Sequence, residues 1–134
     1  MMQEDLTALL LADTTIAGLT GDGDRLYWNV GEQGKADPMA VLYLISGVPD
    51  YHMQGASGFV ESRVQIDCRA STVADALALA RAIEARLSGY RGTVGGTKFM
   101  GVFKQSERSR FDPDPVPGVH MQSADYQILS GLAA

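Results

Sequence analysis

Between Val60 and Leu87 the chain changes its period, and that change restricts the possible folds more than any other stretch does. In VESRVQIDCRA, Val60, Val64, Ile66, Cys68 and Ala70 point one way, while Glu61, Arg63, Gln65, Asp67 and Arg69 point the other. Alternation of this kind marks a half-buried strand with one apolar and one polar face. Thr72 follows as a natural N-cap, Asp75 completes a weaker form of the capping box, and Gly89 fits the position just past a helix. The helix between them, of about 16 residues, has the expected inner stripe Val73, Ala76, Leu77, Ala80, Ile83 and Leu87. Asp75, Arg81, Glu84, Ala85 and Arg86 are expected towards water, and the many alanines let the helix lie close on a sheet. The unit is an amphipathic strand feeding an amphipathic helix, and nothing in it looks like catalytic chemistry.

The rest of the chain supplies more strands than helices. Asp5 to Asp13 reads as a short helix with Leu6, Leu9 and Leu10 on one face, Ile16 extending the stripe if the helix runs on. Gly18, Gly21, Gly23, Gly31 and Gly34 then leave only Arg25 to Val30 as a strand. MAVLYLISG is apolar on both faces and reads as a covered strand ending at Gly47 to Pro49. After the turn GYRGTVGGT, a strand is predicted from Lys98 to Arg110, with Phe99, Phe103 and Phe111 in phase and Lys104, Ser106, Arg108 and Arg110 opposite. FDPDPVPGV is a stiff, extended, proline-bearing loop. Val119 to Ser130 closes the pattern as a strand whose inner face is Ala124, Tyr126 and Ile128. The predicted fold is a single domain over residues 1–134 of α+β class, a mostly antiparallel four- or five-stranded sheet with two helices packed on one face. The other face carries the charges.

Composition narrows the function classes. With 46% hydrophobic and 20% charged residues, the 134-residue chain has the make-up of a soluble globular domain large enough to fold without a disulfide or metal staple. Its one cysteine cannot form an intrachain disulfide and mildly favours a reducing compartment. MMQEDLTALLLAD lacks the basic region and cleavage site of an export signal and reads as a helix. The apolar run Met39 to Ile45 is far short of the roughly 20 residues a membrane helix requires, so no membrane is expected. A net charge of −5 argues against tight binding of a phosphate backbone, yet is compatible with DNA sliding past like-charged walls.

Each motif that could carry chemistry fails a specific test. GASGF, Gly55 to Phe59, has glycine directly after Ser57 and a strand following, unlike a nucleophile elbow. GDGD, Gly21 to Asp24, lacks the twelve-residue spacing of a calcium loop and reads as a polar turn. GTVGG, Gly92 to Gly96, precedes a strand where a phosphate loop precedes a helix. His52 and His120 have no acidic or cysteine neighbour at metal-ligand spacing. Cys68 alternates inward as a small core residue, and Asp112 and Asp114 are held apart by the intervening proline. Tyr27 and Trp28 are the best contact anchors by residue type, with Trp28 equally able to cap the core. Neither a cofactor nor a metal nor a catalytic group is expected, and the pattern favours a protein whose task is contact.

The strand SRVQIDCRAST, Ser62 to Thr72, running straight into VADALALARAIEARL, Val73 to Leu87, resembles the tail completion or tail terminator family of long-tailed phages and gene transfer agents. The wider plan is similar too: an N-terminal helix with LLLAD, a glycine-bearing loop before YWNV, Asp37-Pro38-Met39-Ala40-Val41 opening the strand VLYLISG, and a final strand HMQSADYQILS. That resemblance covers nearly all of the chain. It implies a structural virion protein, not an enzyme, assembled in the host cytoplasm into a ring of six subunits at the head-proximal end of the tail tube. The ring would stop tube polymerisation and offer the docking surface for the neck or head, its partners being the tube protein and a head–tail connector, with DNA passing through the lumen. On that reading Arg63, Asp67, Arg69, Arg108 and Arg110 are expected to meet neighbouring subunits. Trp28, Phe111, Asp112, Asp114 and Val116 are expected to meet tube or neck. The alternatives are another neck or minor tail component and a small ligand-binding domain.

Overall fold

Helix α1 spans Met2–Leu11 and buries Leu6, Leu9 and Leu10, the stripe expected of it. It does not run on to Ile16. The Asp13 carboxylate instead accepts from the backbone N–H groups of Thr15 and Ile16 at 2.9 and 3.2 Å, which starts a second helix, α2, Thr14–Leu19. Ile16 is still fully buried, now from α2. The computed structural model of the chain describes residues 2–29, 38–52, 55–113 and 118–132.

The remaining elements are β1 (Leu26–Trp28), β2 (Met39–His52), β3 (Gly55–Ala70), α3 (Val73–Leu87), β4 (Gly92–Val94), β5 (Thr97–Asp112) and β6 (Val119–Leu132). The strands form one six-stranded sheet in the order β1-β2-β3-β6-β5-β4. The class is α+β and the sheet mostly antiparallel as expected, but the count of four or five strands and the two helices need correction. The sheet is mixed, because β1 pairs β2 in parallel, Leu26 opposite Ala40, and three helices stand among the described residues. The uncounted strand is β4, which had been read as a turn. Gly95 takes φ +57° in the two-residue loop between Val94 and Thr97, the hairpin geometry that glycine adopts without strain, so a glycine-rich run hides a hairpin. The β2–β3 hairpin is also longer than predicted, reaching His52 and resuming at Gly55, which places GASGF inside a strand.

Two register shifts in β5, between Phe99 and Gly101 and between Lys104 and Ser106, correct the expected phase of its side chains. Phe99 and Phe111 keep the phase given to them, but Phe103 lies between the shifts and turns to the outer face beside Gln127. Lys104 turns inward beside Tyr126 and meets Glu84 of α3 at 3.2 Å, a residue that had been assigned to water.

Helix α3 buries Ala76, Leu79, Ala80, Ile83 and Leu87. This stripe is rotated from the predicted one: Leu79 takes the place given to Leu77, and Val73 is half exposed. Alanines at 76 and 80 bring the helix close, and Leu79 between them fills the space towards Ile66, Val64, Tyr126 and Ile128 in the shared core. The expected caps are present. Thr72 Oγ1 accepts from the backbone N–H of Asp75 at 3.2 Å, and Gly89 has φ +75°. Thr72→Ala is expected to cost about 1 kcal/mol, read as a lower urea midpoint with an unchanged slope.

Helix α1 ties the two edges of the sheet together. Trp28 Nε1 in β1 donates to Thr7 Oγ1 at 2.8 Å, while Thr97 Oγ1, at the β4 end of β5, donates to the carboxylate of Asp5. Residues two apart on one helix thus reach strands on opposite edges. The sheet accordingly curls so that the β1 and β4 corners rise around the helices, as the twist of a long-stranded sheet allows.

Candidate functional site

The candidate site is the outer face of the sheet, opposite the helices. Alternation sends Glu61, Arg63, Gln65, Asp67 and Arg69 of β3 to this face as expected, together with Ser123, Asp125 and Gln127 of β6 and Ser106, Arg108 and Arg110 of β5. At its centre is Asp125, whose side chain is only 4% exposed. Its Oδ2 accepts from Arg63 Nη2 at 2.7 Å, Ser106 Oγ at 3.2 Å and Arg108 Nη1 at 3.3 Å. Burial alone would raise the pKa of this carboxyl. The bonds from Arg63, Arg108 and Ser106 outweigh burial, so it lies below the ordinary value.

One buried carboxylate therefore holds two arginines whose side chains are 53% and 52% exposed. The pair keeps a net positive charge and several free N–H donors in a fixed place, which suits it to bind an acidic surface. Asp67 plays a similar supporting part. It is 3% exposed, and its Oδ1 accepts from Ser123 Oγ at 2.6 Å and Gln65 Nε2 at 3.0 Å. It lies on the outer face as expected but is covered there, and it braces the side chains around it. Arg69 is half-buried and reaches Tyr43 OH at 3.4 Å, while its buried Nε has no hydrogen-bond partner. Arg110 is exposed at the far end of β5, where its Nη2 donates to Met121 Sδ at 3.3 Å.

Trp28 is half-buried against the core and lines an open depression of about 470 Å³ with Gln3, Glu4, Thr7 and Asn29, so it both caps the core and offers an edge to solvent. Phe111 is half exposed, stacked at 4.6 Å on His120, and Asp112 follows it at the end of β5. Asp114 and Val116 lie outside the described residues. The structure thus brings Arg63, Arg108 and Asp67 into one patch with Arg69 and Arg110 at its margin, and keeps Trp28 on a different edge from Phe111 and Asp112. Sequence reasoning missed Asp125. The signal was present: β6 was read by its inner residues, but its outward ones, Ser123, Asp125 and Gln127, set a single acid between arginine-bearing strands.

No group of three or more metal-ligating residues occurs among the described residues. The Cys68 thiol is buried, and burial, followed by the charges of Asp67 and Glu107, pushes its pKa up to about 12, which removes it as a nucleophile at neutral pH. GDGD forms the polar turn expected of it, with Gly21, Asp22 and Gly23 all at positive φ, while Arg25 donates to the Leu19 and Pro38 carbonyls.

A profile of the family described as tail completion protein gp17 matches residues 4–129. Among solved structures, a chain of the virion of a native gene transfer agent particle is similar with a TM-score of 0.72 at 18% sequence identity, over 96% of this chain and 93% of that one. At that identity the likeness speaks for the fold. No curated protein matches the sequence. With the profile match spanning almost the whole length, the chain belongs to the tail completion protein gp17 family, structural proteins of the virion tail.

Proposed function

We propose that this protein forms a ring, of six subunits, at the head-proximal end of the tail tube, where it stops tube polymerisation and presents the surface on which the neck or head docks. The observation that carries the ring is the Arg63–Asp125–Arg108 cluster, which fixes exposed positive charge on one face of an otherwise acidic molecule. A neighbouring subunit offers the complementary sign. Arg63, Arg69, Arg108 and Arg110 act as direct contacts across that interface, and Asp67 acts from beneath by holding β3 against β6. Trp28, Phe111 and Asp112, with Asp114 and Val116, meet tube or neck. The net charge of −5 leaves a lumen through which DNA moves without being held.

The test is to disrupt the gene in the producing particle and measure tail lengths by electron microscopy. Overlong or headless tails are the expected result. Tails of normal length joined to heads would overturn the proposal.

A further inference from the structure

The four long strands β2, β3, β6 and β5 pair antiparallel in turn, so β2 and β5 run in opposite directions at the two sides of the long-stranded region. β1 covers the outer edge of β2 only from Ala40 to Leu42, and β4 covers that of β5 only from Thr97 to Phe99. Among the described residues, no strand lies beside the rest of either edge. The two open stretches stand at the same height. One row of the sheet runs from Tyr43 through Gln65 and Asp125 to Ser106, and another from Val48 through Glu61 and Leu129 to Gly101.

Within those rows Leu44, Ile45, Val48 and Phe103 are exposed between 41% and 60%. An open strand edge presents unpaired backbone donors and acceptors, and proteins that stay apart guard such edges with charge, proline or a covering element. Here exposed apolar side chains stand beside both edges instead, Leu44, Ile45 and Val48 on β2 and Phe103 on β5. The occupant that fits each edge is therefore the other edge of a second copy: the directions are opposite, as an antiparallel ladder requires, and the rows of the sheet set Phe103 opposite Ser46 and diagonal to Val48 on the outer face.

We infer that Tyr43 to Val48 of one copy adds as a strand beside Gly101 to Ser106 of the next, so that the sheet continues from subunit to subunit. Pro49 ends the ladder, since it has no N–H to donate. The contact is head-to-tail, uses both edges of every copy, and closes into a ring when its rotation divides the circle. This inference rests on the ring proposed above and names the edges that join; Arg108, on β5, and Arg63, next to β2, then carry the charged contact over the outer side of the same seam.

The test is thiol crosslinking in purified particles with a short bismaleimide. Cys68 is buried and does not compete. Val48→Cys combined with Phe103→Cys in one chain is expected to give a series of covalent dimers, trimers and higher species, whereas each single variant stays monomeric. A double variant present in particles yet uncrosslinked overturns the edge pairing, as do dimers from either single variant, which would mean that like edges meet. Absence of the wild-type protein from particles overturns the ring reading itself, and the ladder with it. Ile45→Lys combined with Val48→Lys, in a chain whose thermal midpoint stays that of the wild type, is expected to lose association with the particle; unchanged association overturns the inference.

Discussion

Asp125→Ala is expected to lower the thermal midpoint by roughly 8 °C and to abolish ring assembly at the same time. The carboxylate is buried and accepts three hydrogen bonds, two of them from guanidinium groups. Breaking a fully buried ion pair costs about 3–5 kcal/mol, but Arg63 and Arg108 are half exposed and recover water when released, which brings the expected loss to about 2 kcal/mol. Asp125→Asn keeps the shape without the charge and separates packing from electrostatics. Its effect carries a pH signature. The folded pKa of Asp125 lies below its ordinary value of 3.8, so on acidification the unfolded chain takes up the proton first. The stabilisation is whole above 3.8 and is lost as pH falls through the lowered folded value. Thermal midpoints of the wild type and Asp125→Asn, measured from neutral pH downward, should therefore converge only on the acid side of 3.8. Parallel curves would show that the arginines contribute nothing through this carboxylate.

Phe99→Ala has the larger effect on stability, an expected loss of about 3–5 kcal/mol, measured by chemical denaturation. The ring is 1% exposed and meets Tyr90 edge-on at 5.9 Å between centroids; Tyr90 in turn lies under the guanidinium of Arg86 at 5.9 Å. Phe99 also stands in the row that pairs β5 with both Gly92 of β4 and Ser130 of β6. Its removal empties the core at the corner where β4 joins the sheet through three residue pairs. Amide exchange in β4 is thus expected to rise further than in β3, and Phe99→Leu should recover more than half of the loss, because it leaves a smaller cavity.

Elements whose side chains obey one uninterrupted period were legible before any coordinates. The alternation from Val60 to Ala70, the cap at Thr72, the helix after it and the outward row Arg63, Asp67, Arg69 all follow from periods of two and 3.6. What periodicity does not encode was missed. The register shifts in β5 move Phe103 and Lys104 to faces opposite those that counting gives them, and a hairpin of three-residue strand and glycine turn carries too few side chains to show a period. The charged patch was half visible for a related reason. Arginines announce themselves in an alternating strand, but the residue that orders them, Asp125, sits on another strand 62 positions away, and only pairing brings the two together.

The attachment of α1 to both corners of the sheet fixes an order of events as the chain folds. Asp5 binds Thr97 across 92 positions of sequence, so the seat of the first helix, held nearer in sequence by Trp28, is incomplete until the β4–β5 hairpin exists. A helix of 10 residues is marginal by itself and depends on the burial of Leu6, Leu9 and Leu10. Closing so long a loop is slow compared with forming local hairpins. Until β4 and β5 are in place the leucine stripe of α1 is therefore incompletely covered, a transient apolar surface of the kind that invites association with other chains.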